Sequence, residues 1–213
     1  MDFWDRMRAT AEQGDVLRHP FYVRWSLGEL THDELSLYAG QYAHAVRALA
    51  AATRHAATGA PNSMAGQLAE HAAEEEAHVG LWSRFASAVD ANPAAPPLPE
   101  TDDCVQAWSD ADRELLPTLV ALYAIESAQP AISKTKLAGL AEHYGVESGD
   151  GTAYFDVHAV RDHEHAESGA DLIARLLDDE DGVDHDALVA EAERVLAANW
   201  RLLDGVDRAS AAS

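Results

Sequence analysis

Tyr154-Phe155-Asp156-Val157-His158-Ala159-Val160-Arg161-Asp162-His163-Glu164-His165 is the stretch whose periodicity sets the fold. Nothing in it alternates like a strand. Read as a helix at about 100° per residue, it puts Asp162 about 40° and His165 about 20° from His158. His158, Asp162 and His165 therefore share one helix face, while His163 and Glu164 turn elsewhere. Two imidazoles and a carboxylate at this spacing are a ligand set in outline. A single polar stripe also fits a solvated face, so the reading depends on what other helices bring to it.

Two other segments supply candidates. Leu68 to Trp82 reads Leu-Ala-Glu-His-Ala-Ala-Glu-Glu-Glu-Ala-His-Val-Gly-Leu-Trp and contains Glu75-x-x-His78. That is the spacing by which helical di-iron carboxylate proteins aim two ligands inward. Spacing does not separate Glu75 from Glu74, nor exclude His71 two turns before His78. The third segment is Leu122-Tyr123-Ala124-Ile125-Glu126-Ser127-Ala128-Gln129-Pro130, where Glu126 follows a predominantly apolar approach. A carboxylate buried there needs a metal, a proton or a cationic partner. Glu75, His78, Glu126, His158, Asp162 and His165 together give three carboxylates and three imidazoles. Such a set suits two iron or manganese ions better than zinc, which prefers a closed four-ligand site.

The rest of the chain is helical in period as well. Helices are predicted from Phe3 to Leu17, from Thr31 to about residue 58, from Ser63 to Val89, and from Asp102 onward. Further helices follow over Pro117–Tyr144 with a break or kink at Pro130, over Thr152–Leu177, and over His185–Asp204. Thr31-His32-Asp33-Glu34 has capping-box form. Residues 1–213 are expected to make one all-α domain, a bundle of about seven helices.

Composition narrows the function. The 213 residues are 47% apolar and carry a formal charge of −22, from 37 Asp and Glu against 15 Lys and Arg. Nucleic acid and anionic membrane surfaces are poor partners for such a surface. No run of apolar residues approaches a membrane span and no leader segment is recognised, so a cytoplasmic location is expected. The single cysteine, Cys104, excludes an internal disulfide framework and a cysteine-ligated zinc site. The only lysines are Lys134 and Lys136. An acidic, lysine-poor chain suits a high-salt cytoplasm, where screening tolerates like charges. It also tolerates acids opposing a helix dipole, as in Asp178-Asp179-Glu180-Asp181.

With these residues in view, the chain resembles the haem-oxygenase-like di-metal oxidases, whose signature is an early Glu and His, a central Glu and a final His-x3-Asp-x2-His. Within them it is most similar to the para-aminobenzoate synthase branch that includes a chlamydial protein associating with death domains. The likeness runs through His19-Pro20-Phe21-Tyr22, Trp25, Gly28-Glu29-Leu30-Thr31, Tyr38-Ala39, Glu74-Glu75-Glu76, His78, Leu81-Trp82, Ala121-Leu122-Tyr123, Glu126-Ser127, and Lys136 ahead of Gly139-Leu140. The resemblance implies a seven-helix bundle without haem, a metal pair of Fe/Fe or Fe/Mn, O2 and an external reductant, and a homodimer. It implies too that the enzyme consumes itself: Tyr22 supplies the aromatic ring, Lys136 the amino group, and Tyr38 takes part in the oxidation. The chain departs from the pattern in three places. Glu75 and His78 stand closer than the family's early Glu and His, Ile125 replaces a tyrosine beside Glu126, and Ala43 interrupts a tyrosine pair, leaving Tyr42.

Three other functions compete. The same metals could oxidise an external small molecule such as a fatty acid, amine or amino acid. A TenA-like thiamine-salvage hydrolase is disfavoured, because Val120 stands where that group has its active cysteine and Cys104 lies on an earlier segment. A regulatory role lacks any nucleic-acid-binding motif to support it.

Overall fold

The computed structural model describes residues 1–179 and 182–212, with every side chain among them except that of His163. Nine α-helices and one short 3-10 turn make up the described chain: α1 (Phe3–Gln13), the turn Val16–Arg18, α2 (Pro20–Leu27), α3 (His32–Gly59), α4 (Ala65–Ala88), α5 (Pro99–Trp108), α6 (Leu115–Glu126), α7 (Gln129–His143), α8 (Ala153–Asp179) and α9 (His185–Ala211). The all-α architecture matches the reading from periodicity, and the higher count has local causes. His19 caps a short helix of its own, its Nδ1 accepting the Phe21 amide at 3.0 Å with Pro20 in the first turn. The helix expected over Pro117–Tyr144 with a break or kink at Pro130 is broken into two. Pro130 sits in the first turn of α7, where its missing amide costs nothing, and the chain breaks at Ser127 and Ala128 before it. The first helix stops at Gln13, not Leu17, and the last runs on to Ala211 past Asp204.

The expected capping box opens α3. The Glu34 amide donates to Thr31 Oγ1 at 3.3 Å, and the Thr31 amide donates to Glu34 Oε2 at 2.7 Å. α8 ends on Asp178 and Asp179 with no basic residue in its last turn, so acids do oppose its dipole. Glu180 and Asp181 of that run lie outside the described residues.

α3 packs along α4, α7 and α6 pack on α8, and α5 and α6 pack on α9. These contacts enclose one core rich in aromatic rings, with Trp25, Trp82, Trp108, Tyr22, Tyr38, Tyr42 and Tyr154 among its largest fully buried side chains. The stretch Leu115–His143 is long and apolar enough by composition to cross a membrane, which counting consecutive apolar residues did not anticipate. In the fold it is the α6–α7 pair, and 67% of its most apolar window is buried inside the bundle. α7 reaches Trp25 of α2 at Gly139. A Cβ there would meet the indole at 2.6 Å, so only glycine admits this approach. Trp25 Nε1 donates to the Lys136 carbonyl at 3.3 Å one turn earlier, which fixes where Lys136 enters the core.

Candidate metal centre

α4, α6 and α8 converge on a cluster of acids and imidazoles in the bundle. α4 contributes His71, Glu75 and His78, α6 its last residue Glu126, and α8 His158, Asp162 and His165. Glu75 and Asp162 are each 1% exposed, His158 1%, Glu126 3% and His78 5%. The stripe read from the Tyr154–His165 stretch therefore faces inward. Of the early candidates that spacing left open, His71 and Glu75 both reach the cluster. Glu74 turns outward, where its carboxylate accepts from Arg161 at 2.7 Å and lies 2.9 Å from His165 Nε2.

Hydrogen bonds orient the imidazoles. His158 Nδ1 lies 2.6 Å from the Tyr154 carbonyl, which can only accept, so the proton is on Nδ1 and the Nε2 lone pair is free. Burial lowers the pKa of His158 and favours that neutral ring. Glu74 holds His165 by Nε2 and leaves Nδ1 turned to Asp162 Oδ1, 3.4 Å away. His78 Nδ1 lies 2.9 Å from Glu75 Oε1. His71 Nε2 lies 3.0 Å from Glu126 Oε1. Burial works against a charge on His71, but Glu126, Glu75 and Asp162 around it raise its pKa to about 9.

Several buried atoms of this cluster still have no hydrogen-bond partner: Glu75 Oε2, His158 Nε2 and Asp162 Oδ2. Buried acceptors without donors are costly, and here they converge. Oxygen and imidazole-nitrogen donors of this kind fit iron or manganese. The ligand atoms form two groups, His71–Glu75–His165 and Glu75–His78–His158, within each of which all atoms lie no more than 4.8 Å apart. Glu75 belongs to both. The residues present thus suit a pair of metal ions that share one carboxylate.

The second cluster lies deeper in the core, where α2, α3 and α7 bring Tyr22, Tyr38 and Lys136 together. Tyr22 Oη and Tyr38 Oη are 2.9 Å apart, and Lys136 Nζ is 2.7 Å from Tyr38 Oη. Lys136 is 1% exposed, and five rings surround its Nζ, with centroids from 4.9 Å at Tyr42 to 5.6 Å at Trp82. Tyr22, Tyr38 and Phe155 are the other three. No carboxylate among the described residues pairs with it, and burial lowers its pKa to about 7. Burial raises the Tyr22 and Tyr38 hydroxyls well above their ordinary values, so both stay protonated phenols.

Aromatic contacts bridge the two clusters. The Tyr154 ring stacks on His158 at 4.0 Å and meets Trp82 edge-on at 4.8 Å, and Trp82 lies 6.0 Å from Tyr38 and 5.0 Å from Tyr42. Sequence reading assigned Tyr154 no part, although it stands one helical turn before His158. Cys104 is buried in α5, and burial pushes its thiol up to about 12, which leaves it inert as a nucleophile.

Known proteins resemble this chain over most of its length. Residues 36–200 match the family described as iron-containing redox enzymes, the second haem-oxygenase family. A 4-aminobenzoate synthase of Nitrosomonas europaea is 29% identical over 96% of this chain and 90% of its own length. The 4-aminobenzoate synthase of Chlamydia pneumoniae is 30% identical over 90% of this chain and 89% of its own. Among solved structures, a haem-oxygenase-like domain from Shewanella denitrificans superposes with a TM-score of 0.83 at 19% identity, covering 99% of this chain and 94% of that one. A TenA homologue from Pseudomonas syringae pv. tomato gives 0.82 at 15% identity, over 97% and 93%. With most of its length matched and its buried donors suited to such a metal, the chain belongs to the iron-containing redox enzyme family and is an oxidoreductase of haem-oxygenase-like fold.

Proposed function

We propose that this protein makes 4-aminobenzoate (para-aminobenzoate) in an oxygen-dependent, single-turnover reaction. Tyr22 would supply the ring and Lys136 the amino nitrogen. Two metal ions, Fe/Fe or Fe/Mn, would be held by His71, Glu75, His78, Glu126, His158, Asp162 and His165, with an external reductant. The observation that carries the reading is the buried Tyr22–Tyr38–Lys136 run, joined to His158 through Tyr154 and Trp82. Relatives named 4-aminobenzoate synthase support the choice of product.

When bound, the metal pair supplies the oxidising power drawn from O2. The chain's own residues do the rest. Tyr38 and Tyr22 stay neutral in their apolar surroundings, so oxidation must remove a proton together with the electron. With a pKa near 7, Lys136 is substantially a neutral amine at neutral pH. In that form its Nζ can take the proton of Tyr38 Oη, and its lone pair is available as a nitrogen nucleophile. The ring cage excludes water that would compete for an oxidised phenol.

A second reading, oxidation of an external small molecule, rests on a cavity of about 190 Å³ whose lining includes His71, Glu126 and His165. One experiment separates the two. Iron-loaded protein is exposed to reductant and oxygen with no substrate, then analysed by intact and peptide mass spectrometry. The proposed reaction gives 4-aminobenzoate in the filtrate and mass changes confined to Tyr22 and Lys136. Oxygen uptake with both residues unchanged would overturn it in favour of the external substrate, and Tyr22→Phe would then retain activity.

A further inference from the structure

The two metal-ligating groups differ in their access to solvent. Glu75, His78 and His158 are all buried, whereas His71 and His165 are only partly so. The cavity of about 190 Å³ between α4, α6 and α8 accounts for the difference. It has His71, Glu126 and His165 in its lining, but none of Glu75, His78, His158 or Asp162. Leu68, Leu119, Leu122 and Leu172, all buried, form its walls. Gln67, Glu70, Arg161 and Glu164 lie at its exposed rim. Arg161, the one arginine or lysine among the described rim residues, is paired with Glu74 at 2.7 Å, so Glu70 and Glu164 leave the rim acidic. Inside, Glu126 is 3% exposed and its Oε1 meets His71 Nε2 at 3.0 Å.

We propose that this cavity is the loading channel of the centre. A hydrated divalent cation enters past Glu70 and Glu164, meets His71 and His165 beside Glu126, and is held there with Glu75 behind them. The inner group, Glu75–His78–His158, fills only by transfer across the shared Glu75. The inference rests on the reading that the cluster binds two metal ions. Three features argue for the order. The acidic rim concentrates dications at the mouth, as a charged cleft does. The apolar walls offer no site at which an ion would stall. The first ligands met on the way in are those of the outer group, and Glu75 is the single residue common to both. An inner ion must therefore leave by the same path, behind the outer one.

Gly169 allows the channel to be blocked without touching a ligand. It lines the cavity, and a Cβ added there would meet nothing nearer than the Tyr123 ring at 4.0 Å. The measurement is release of Co2+ from fully loaded protein into excess chelator, followed by the visible absorption of the bound ion and by metal content. Wild-type protein should release two ions in two sequential phases. In Gly169→Leu both phases should slow together while the equilibrium content stays at two. Glu70→Gln with Glu164→Gln, on the exposed rim, should slow loading about tenfold at low salt, with the difference closing at high salt. Unchanged release and loading in both variants, with wild-type circular dichroism, would overturn the channel while leaving the two-ion centre standing. Independent parallel release of the two ions would overturn the order. Failure of wild-type protein to bind two Co2+ at all would instead overturn the metal reading on which the channel depends.

Discussion

The two polar clusters of this core are finished to different degrees. Around Glu75 and Asp162, acceptors and lone pairs converge without enough donors, and Glu75 Oε2, Asp162 Oδ2 and His158 Nε2 lack a hydrogen-bond partner. Around Lys136 the single cation has no counter-charge, yet its Nζ bonds Tyr38 and rings enclose it on several sides. The first cluster is incomplete until cations arrive. The second is complete as the chain folds, and solves the burial of an amine by making it easy to deprotonate. The fold keeps the acid–imidazole cluster and the Tyr22–Tyr38–Lys136 cluster on separate helices, with the Tyr154, Phe155 and Trp82 rings between them.

That contrast can be broken most severely at Glu75. Glu75→Ala removes the ligand common to both groups, and it should lose both ions by metal analysis, with oxidase activity falling below detection. Next in size is the effect of metal itself. Loading should raise the stability of the wild-type chain by about 4 kcal/mol when free metal is about a thousandfold above its Kd, and chelator should reverse the gain in a thermal melt.

Lys136→Met should do the opposite of an ordinary core mutation. It should abolish product yet stabilise the protein by about 1–4 kcal/mol at pH 7, because an unpaired buried amine is replaced by an apolar side chain of similar length. The pH dependence follows from the lowered pKa. Below about pH 7 the amine is protonated in folded and unfolded chains alike. Between there and its unfolded value of about 10.4 the unfolded chain binds more protons, so this residue makes wild-type stability rise with pH. Denaturant titrations between pH 7 and 9 should show that rise in wild type and lose it in Lys136→Met. The smallest effect is expected at Glu74, which orients His165 without joining the cluster. Glu74→Gln should weaken metal affinity about 10–100-fold with the stoichiometry unchanged, as read by competition with a chelating dye.

Much of this was legible in the sequence because helical spacing is rigid. Three residues between His158 and Asp162 and two between Asp162 and His165 can only place them on one face. Glu126 was legible because a carboxylate amid Leu119, Leu122 and Ile125 has few uses. The α4 ligands were not resolved, because His71, Glu74, Glu75 and His78 all fall within about 100° of one another on the helix. Only the position of α8 decides that Glu74 reaches His165 from outside while His71 and Glu75 face inward. The split of α6 from α7 was legible only as a break or kink at Pro130, because proline reads alike as a kink within a helix and as the first turn of the next. Tyr22, Tyr38 and Lys136 sit on three helices far apart in the chain, and no local pattern joins them. Family likeness pointed to them; their mutual contact is a property of the fold alone.

The lysine usage of this chain has a practical consequence. Lys134 is exposed and Lys136, two residues on, is sealed among rings. In a chain with only these two lysines, an amine-reactive label finds Lys134 and the N-terminus at once, and reaches Lys136 only when the core opens. The mass of the peptide spanning both therefore counts opening events directly. The protein carries its own exchange reporter, placed beside the Tyr22–Tyr38 pair.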